Sequence, residues 1–166
     1  NALLVVEVVR ALAERAGQLQ QIGEMTLPEQ LLTGGLERLM RRRLEVLTTS
    51  ERELLELAAV VGRTIDVPLL ARASGVADLH PWLLSCANAA IIEARQEEWL
   101  FSNDQFRLWL LKNLSPNRLQ ELHATIAEAI LAGKAGRPSD DSILAHHYHH
   151  AGQPERAYEC FLRAGL

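Results

Sequence analysis

Apolar residues recur along most of the chain at the spacing of a helix with one buried face, and glycine and proline cut that pattern into segments. Residues 2–16 read as a helix that is apolar nearly all round, with Leu3, Leu4, Val5, Val6, Val8, Val9 and Leu12. Such a helix needs cover on most of its sides. Residues 17–35 hold Gly17, Gly23, Pro28, Gly34 and Gly35 and read as a linker with one short helix. Residues 36–47 are helical and carry Arg41-Arg42-Arg43. Ser50-Glu51-Arg52-Glu53 has capping-box spacing and opens a helix with Leu54, Leu57, Ala58 and Val61 on one side, stopping at Gly62. Asp66-Val67-Pro68 starts a short helix that ends at Gly75, and Asp78 caps a third, running through Trp82, Leu83, Cys86 and Ala90.

The texture then changes. Ile91 to Arg95, a polar turn at Gln96-Glu97-Glu98, and Trp99-Leu100-Phe101 predict a short antiparallel hairpin. Ser102-Asn103-Asp104-Gln105 reads as a second capping box, opening a helix with Phe106, Trp109 and Leu110 on one side. Ser115-Pro116 starts the next, serine as cap and proline at the first helical position, with Leu119, Leu122, Ile126 and Ile130 as its buried stripe. Residues 133–138 form a loop, and two more helices, about 141–151 and 154–166, are joined at Gly152-Gln153-Pro154. In the last pair, Ala145, Tyr148, Gly152, Ala157, Phe161 and Ala164 alternate small and large as in a tetratricopeptide-type helix pair. The predicted fold is mainly α: three helices, a hairpin and a closing helix spelling a winged helix, followed by the start of an α-α repeat.

Composition narrows the function. Of 166 residues, 48% are hydrophobic and 23% charged, so a core can be buried and the chain is not disordered. Acids outnumber bases 21 to 17, for a net charge of −4, which argues against a dedicated nucleic-acid binder. Cys86 and Cys160 lie far apart, in neither a disulfide framework nor a zinc spacing, and fit a reducing cytoplasm. No apolar run approaches the roughly 20 residues that span a bilayer, so no membrane partner is expected. The chain opens on Asn1 rather than Met and stops at Leu166 within a helical pattern, as expected of a piece of something longer.

Candidate chemistry is sparse. The one Gly-Lys pair, Gly133-Lys134, is followed by Ala135, so no phosphate-cradling G-x-x-x-x-G-K-[ST] loop exists and this stretch is expected to be no enzyme. The helix that would enter a DNA groove, about 78–90, holds no Lys or Arg, and the hairpin adds Glu93, Glu97 and Glu98 against Arg95. Packing on protein suits it better, and Trp82 and Leu83 are the expected docking residues there, with Tyr148 and Phe161 on the repeat pair. The Arg41–Arg43 run is ringed by Glu37, Glu45, Glu51 and Glu53 and reads as a solvated face with pairs such as Glu37–Arg41. His146-His147-Tyr148-His149-His150 invites a metal reading, since His146 and His150 sit one turn apart with Asp140 or Asp141 nearby. Four histidines in five positions point to several faces, however, so no metal site is expected.

Three stretches together resemble one family: Phe101-Ser102-Asn103-Asp104, Leu114 through His123, and Ala145-His146-His147-Tyr148 through Arg163-Ala164-Gly165. They are similar to STAND-class signalling ATPases, in the bacterial branch of MalT-like regulators and kinase-fused predicted ATPases. The resemblance implies an ATPase lid end over residues 1–47, a winged helix over 48–114, and the start of tetratricopeptide-like repeats over 115–166. It implies ATP or ADP in a longer parent, near Asn1 and Ala2 (where the family has Asn-Pro) and near Asn103 and Asp104 (where a histidine stands at the Asn103 position). The implied function is a non-catalytic, cytoplasmic regulatory connector, with partners in its own nucleotide-binding domain, further repeats, and a protein or small ligand. A DNA-binding winged helix and a metal enzyme built on the histidine run are the alternatives.

Overall fold

The computed structural model describes residues 29–133 and 138–165. They fall into two compact units, one ending at Val46 and the other beginning at Leu47. The expected helix over residues 2–16, and Asn1 and Ala2 with it, lies outside the described residues, as does most of the 133–138 loop.

In the first unit, α1 spans Glu29–Glu45. The helix therefore begins within what the glycines mark as linker: Gly34 and Gly35 are carried inside it, at the cost that glycine imposes on a helix interior. The Arg41–Glu37 pair forms as expected, 2.9 Å apart on an exposed face one turn long.

The second unit is mainly α with a small antiparallel sheet. Its elements are α2 (Thr49–Val61), β1 (Thr64–Ile65), α3 (Val67–Ser74), α4 (His80–Asn88), β2 (Ile92–Arg95), β3 (Glu98–Phe101), α5 (Asp104–Asn113), α6 (Pro116–Ala132), α7 (Pro138–His150) and α8 (Pro154–Ala164). The capping box of α2 sits two residues before the expected place. Thr48 is the cap: its N–H donates to the Glu51 carboxylate at 2.8 Å, and the Glu51 N–H donates to the Thr48 hydroxyl at 3.3 Å. Both Thr48 and Ser50 can cap, and Glu51 rather than Glu53 closes the box. Asp66 and Ser115 cap α3 and α6 as read, and Gly75 ends α3 in the left-handed region at φ 72°. Asp78 is not the cap of α4, which starts from Leu79 without a side-chain cap, although Asp78 does accept from the His80 N–H at 2.9 Å.

The hairpin forms, with Ile92 opposite Phe101 and Arg95 opposite Glu98. Its two turn residues, Gln96 and Glu97, both have positive φ, 47° and 72°, as the twist of a two-residue hairpin requires. A third strand, absent from the sequence reading, pairs Thr64 with Leu100 and Ile65 with Trp99, so that β3 lies between β1 and β2. Two residues are too few to show an alternating pattern. Ser102 is not a cap either: its hydroxyl donates to the carbonyls of Ala90 (2.8 Å) and Ile91 (3.1 Å), closing the hairpin base. Asn103 caps α5 instead.

Leu55, Leu70, Ile91, Ile92, Phe101 and Phe106 are fully buried within this unit. A further core lies where α6, α7 and α8 meet, built from Ala127, Leu144, Ala145, Tyr148, Ala157 and Cys160 with Ile130 against it. Helix α6 joins the two cores. It packs on α2 and α3 as well as on α7, Arg118 pairs with Glu56 of α2 at 2.9 Å, and Arg72 of α3 donates to the Ala129 carbonyl.

Candidate functional site

Helix α4 turns its large residues inward. Trp82 and Leu83 are each 4% exposed, which corrects their assignment to a docking face. The indole N–H of Trp82 donates to the Glu51 carbonyl at 3.0 Å, tying α4 to the first turn of α2. The backbone N–H of Thr48 first, then the hydroxyls of Ser85 and Thr48, hold the Glu51 carboxyl below its ordinary value. The apolar side of this helix is used by its own core; Leu84 is its large apolar residue that faces out. The Cys86 thiol beside them is buried, and burial, with the charge of Glu51 adding, pushes it up to about 12. Its thiolate is therefore withheld at neutral pH, and Cys86 is a packing residue rather than a nucleophile.

The second expected site lies at the start of α5. Asn103 Oδ1 accepts from the Gln105 N–H at 2.9 Å, the bond of an N-cap. Asp104 pairs with Arg107 at 2.8 Å, and Arg107 also donates to the Ala59 carbonyl of α2 at 3.2 Å. The helix start thus brings together an amide and a carboxylate, with the nearest guanidinium already shared between Asp104 and a backbone carbonyl. Asn1 and Ala2, expected to share this site, are outside the described residues.

The third site is the histidine run. Its companion is His123 on α6, which the sequence reading left out, although position 123 falls four residues after Leu119 and three before Ile126, on the same buried stripe. His123 and His147 are 7% and 4% exposed, with Nδ1 atoms 2.9 Å apart. His150 stacks on His123 with ring centroids 4.9 Å apart, and His146 lies 4.5 Å from His150 and 5.8 Å from His123. Burial first, then repulsion from neighbouring imidazoles, holds His123, His146 and His147 below the ordinary histidine value. The rings stack and tilt against one another. Among the described residues, no group of three or more His, Cys, Asp or Glu side chains is arranged to hold a metal ion.

Tyr148, expected to dock a partner, is buried in the α6–α8 core, with the Arg156 guanidinium 4.5 Å above its ring. Arg156 in turn pairs with Glu128 of α6 at 2.6 Å. Phe161 does face outward, and Cys160 takes the inward position beside it. Phe161 is joined by Tyr158 (64% exposed) and Leu162 (59% exposed), so α8 carries an apolar face at helical spacing.

No family model, curated protein or solved structure matches the chain. Among the described residues, no helix is long and apolar enough to cross a membrane.

Proposed function

We propose that this chain is a non-catalytic connector of a signalling protein, in which a winged-helix unit from α2 to α5 is followed by the first helices of a tetratricopeptide-like array. The order of β1, β3 and β2 around α3 and α4 supports the winged-helix reading. One observation carries the choice of partner. Helix α4, which would read a DNA groove, contains no Lys or Arg and spends Trp82 on its own core. The hairpin beside it exposes Glu97 and Glu98, whose charge repels phosphate. A protein partner fits such a surface, and the outward face of α8 at Tyr158, Phe161 and Leu162 is where a further helix or a signal-bearing protein would pack. In this reading the energy of switching comes from a nucleotide-binding domain of a longer parent, which would hold ATP or ADP, with Asn103 and Asp104 turned towards it. Two cysteines without a disulfide suit a cytoplasmic location.

Fluorescence anisotropy with a labelled DNA duplex at low salt tests the partner class. The connector reading expects no binding that weakens steeply with salt, because such a slope counts phosphates neutralised by Lys and Arg. Tight duplex binding with that slope, lost on replacing residues of α4 or the hairpin, would overturn it in favour of a DNA-binding module.

A further inference from the structure

We propose that the joint between α6 and α7 is proton-sensitive: its packing depends on His123 and His147 staying neutral, so that mild acid lowers the stability with which α7 is held on α6. The geometry of the pair carries this. A neutral imidazole has one N–H, and two Nδ1 atoms 2.9 Å apart require one ring to donate from Nδ1 while the other accepts there. A first added proton can be held on the donor ring with the contact intact, but it places a cation in a buried interface. A second would set N–H against N–H across the same gap and break the bond.

Among the described residues, no carboxylate is among the groups that bear on the pair. The titratable groups that bear on it are the other imidazoles, His146 and His150, with His149 beside His150. Among the described residues, several charged groups of the packed elements have partners of their own. Arg118 of α6 holds Glu56 of α2 and Glu121. Glu128 of α6 holds Arg156 of α8. Arg163 of α8 holds Asp141 of α7, and Arg72 of α3 donates to the Ala129 carbonyl. The proton affinity of these rings is lower in the folded protein than in the unfolded chain. Unfolding therefore takes up protons, and stability is full above the ordinary imidazole value of about 6.5 and is lost as the pH falls below it. Carboxylates such as Glu51 contribute their own acid loss only near and below about pH 4, which leaves the window between pH 6.5 and 5 to histidine.

The test is urea unfolding of the intact chain between pH 7.5 and 5, alongside NMR titration of the histidine ring C–H signals. The two locked rings contribute up to about a hundredfold per pH unit to the growth of the unfolding constant below about pH 6, on top of at most about tenfold from His146. The double variant His123→Gln, His147→Gln should flatten this to tenfold or less. A slope in the wild type that the double variant does not reduce would overturn the proposal. If the double variant does not fold, the wild-type NMR decides. Ring signals of the pair that have not shifted at pH 5.5 support it, and half-titration near pH 6.5 in the folded protein overturns it.

Discussion

The indole of Trp82 both fills the space between α4 and α2 and donates to the Glu51 carbonyl, so it shows how one side chain can be read two ways. In the sequence, a tryptophan and leucine on a helix without cations look like a surface for another protein. Spacing alone cannot distinguish an apolar face that meets its own core from one that meets a partner. Truncating Trp82 to Ala is expected to cost about 3–5 kcal/mol, from lost packing together with the hydrogen bond. Leu84→Ala, on the outward side of the same helix, should stay within about 0.5 kcal/mol. Urea unfolding of the two variants checks this, and similar losses would place Leu84 in the core as well. The histidines pose the opposite case. The run at 146–150 is conspicuous in the sequence, while its decisive partner His123 is hidden inside an apolar stripe. Only the pairing of α6 with α7, a long-range feature, brings the imidazoles together.

At the scale of the element, most starts and stops were legible where one residue stood out, with Asp78 the exception, since it accepts from the His80 N–H without capping α4. Asp66, Ser115 and Gly75 each stand without a competitor at their helix end, and each does what its chemistry suggests. Where several candidates stand together, the choice fell differently: Thr48 over Ser50, and Asn103 over Ser102. In the second case the serine hydroxyl is turned to the hairpin base, where it donates to the Ala90 and Ile91 carbonyls. That contact comes from the tertiary fold and has no local signature. A pair of variants separates the candidate caps of α2. Thr48→Ala should cost about 1 kcal/mol and Ser50→Ala only a few tenths, because only the former removes a bond to an orphan backbone N–H. Thermal unfolding followed by circular dichroism measures both, and a larger loss for Ser50→Ala would return the cap to the later position. The strand β1 was invisible for a different reason, since two residues acquire strand character only from the neighbour that pairs with them.

For the whole second unit, the question is whether the α2–α5 part and the helices after it can come apart. Helix α6 belongs to both cores. One side presents Arg118 to Glu56 and accepts from Arg72 at the Ala129 carbonyl; the other supplies Ala127 to the cluster with Leu144, Tyr148, Ala157 and Cys160. Unfolding α7 and α8 would strip α6 of one side, and a helix of this length has little stability once its packing is lost. The two parts are therefore expected to unfold together at neutral pH. The chain is well placed to report this, because its three tryptophans, Trp82, Trp99 and Trp109, all precede α6. Leu144→Ala removes a fully buried side chain from the far core and should cost about 2–5 kcal/mol. If α6 couples the cores, tryptophan fluorescence and far-ultraviolet circular dichroism will shift to the same lower urea midpoint in this variant. A fluorescence transition that stays in place while helical signal is lost early would mean that α7 and α8 are a separate folding unit. The connector reading needs the coupled outcome, since α6 is the helix that packs both on α2 and on α7, and α7 in turn on α8.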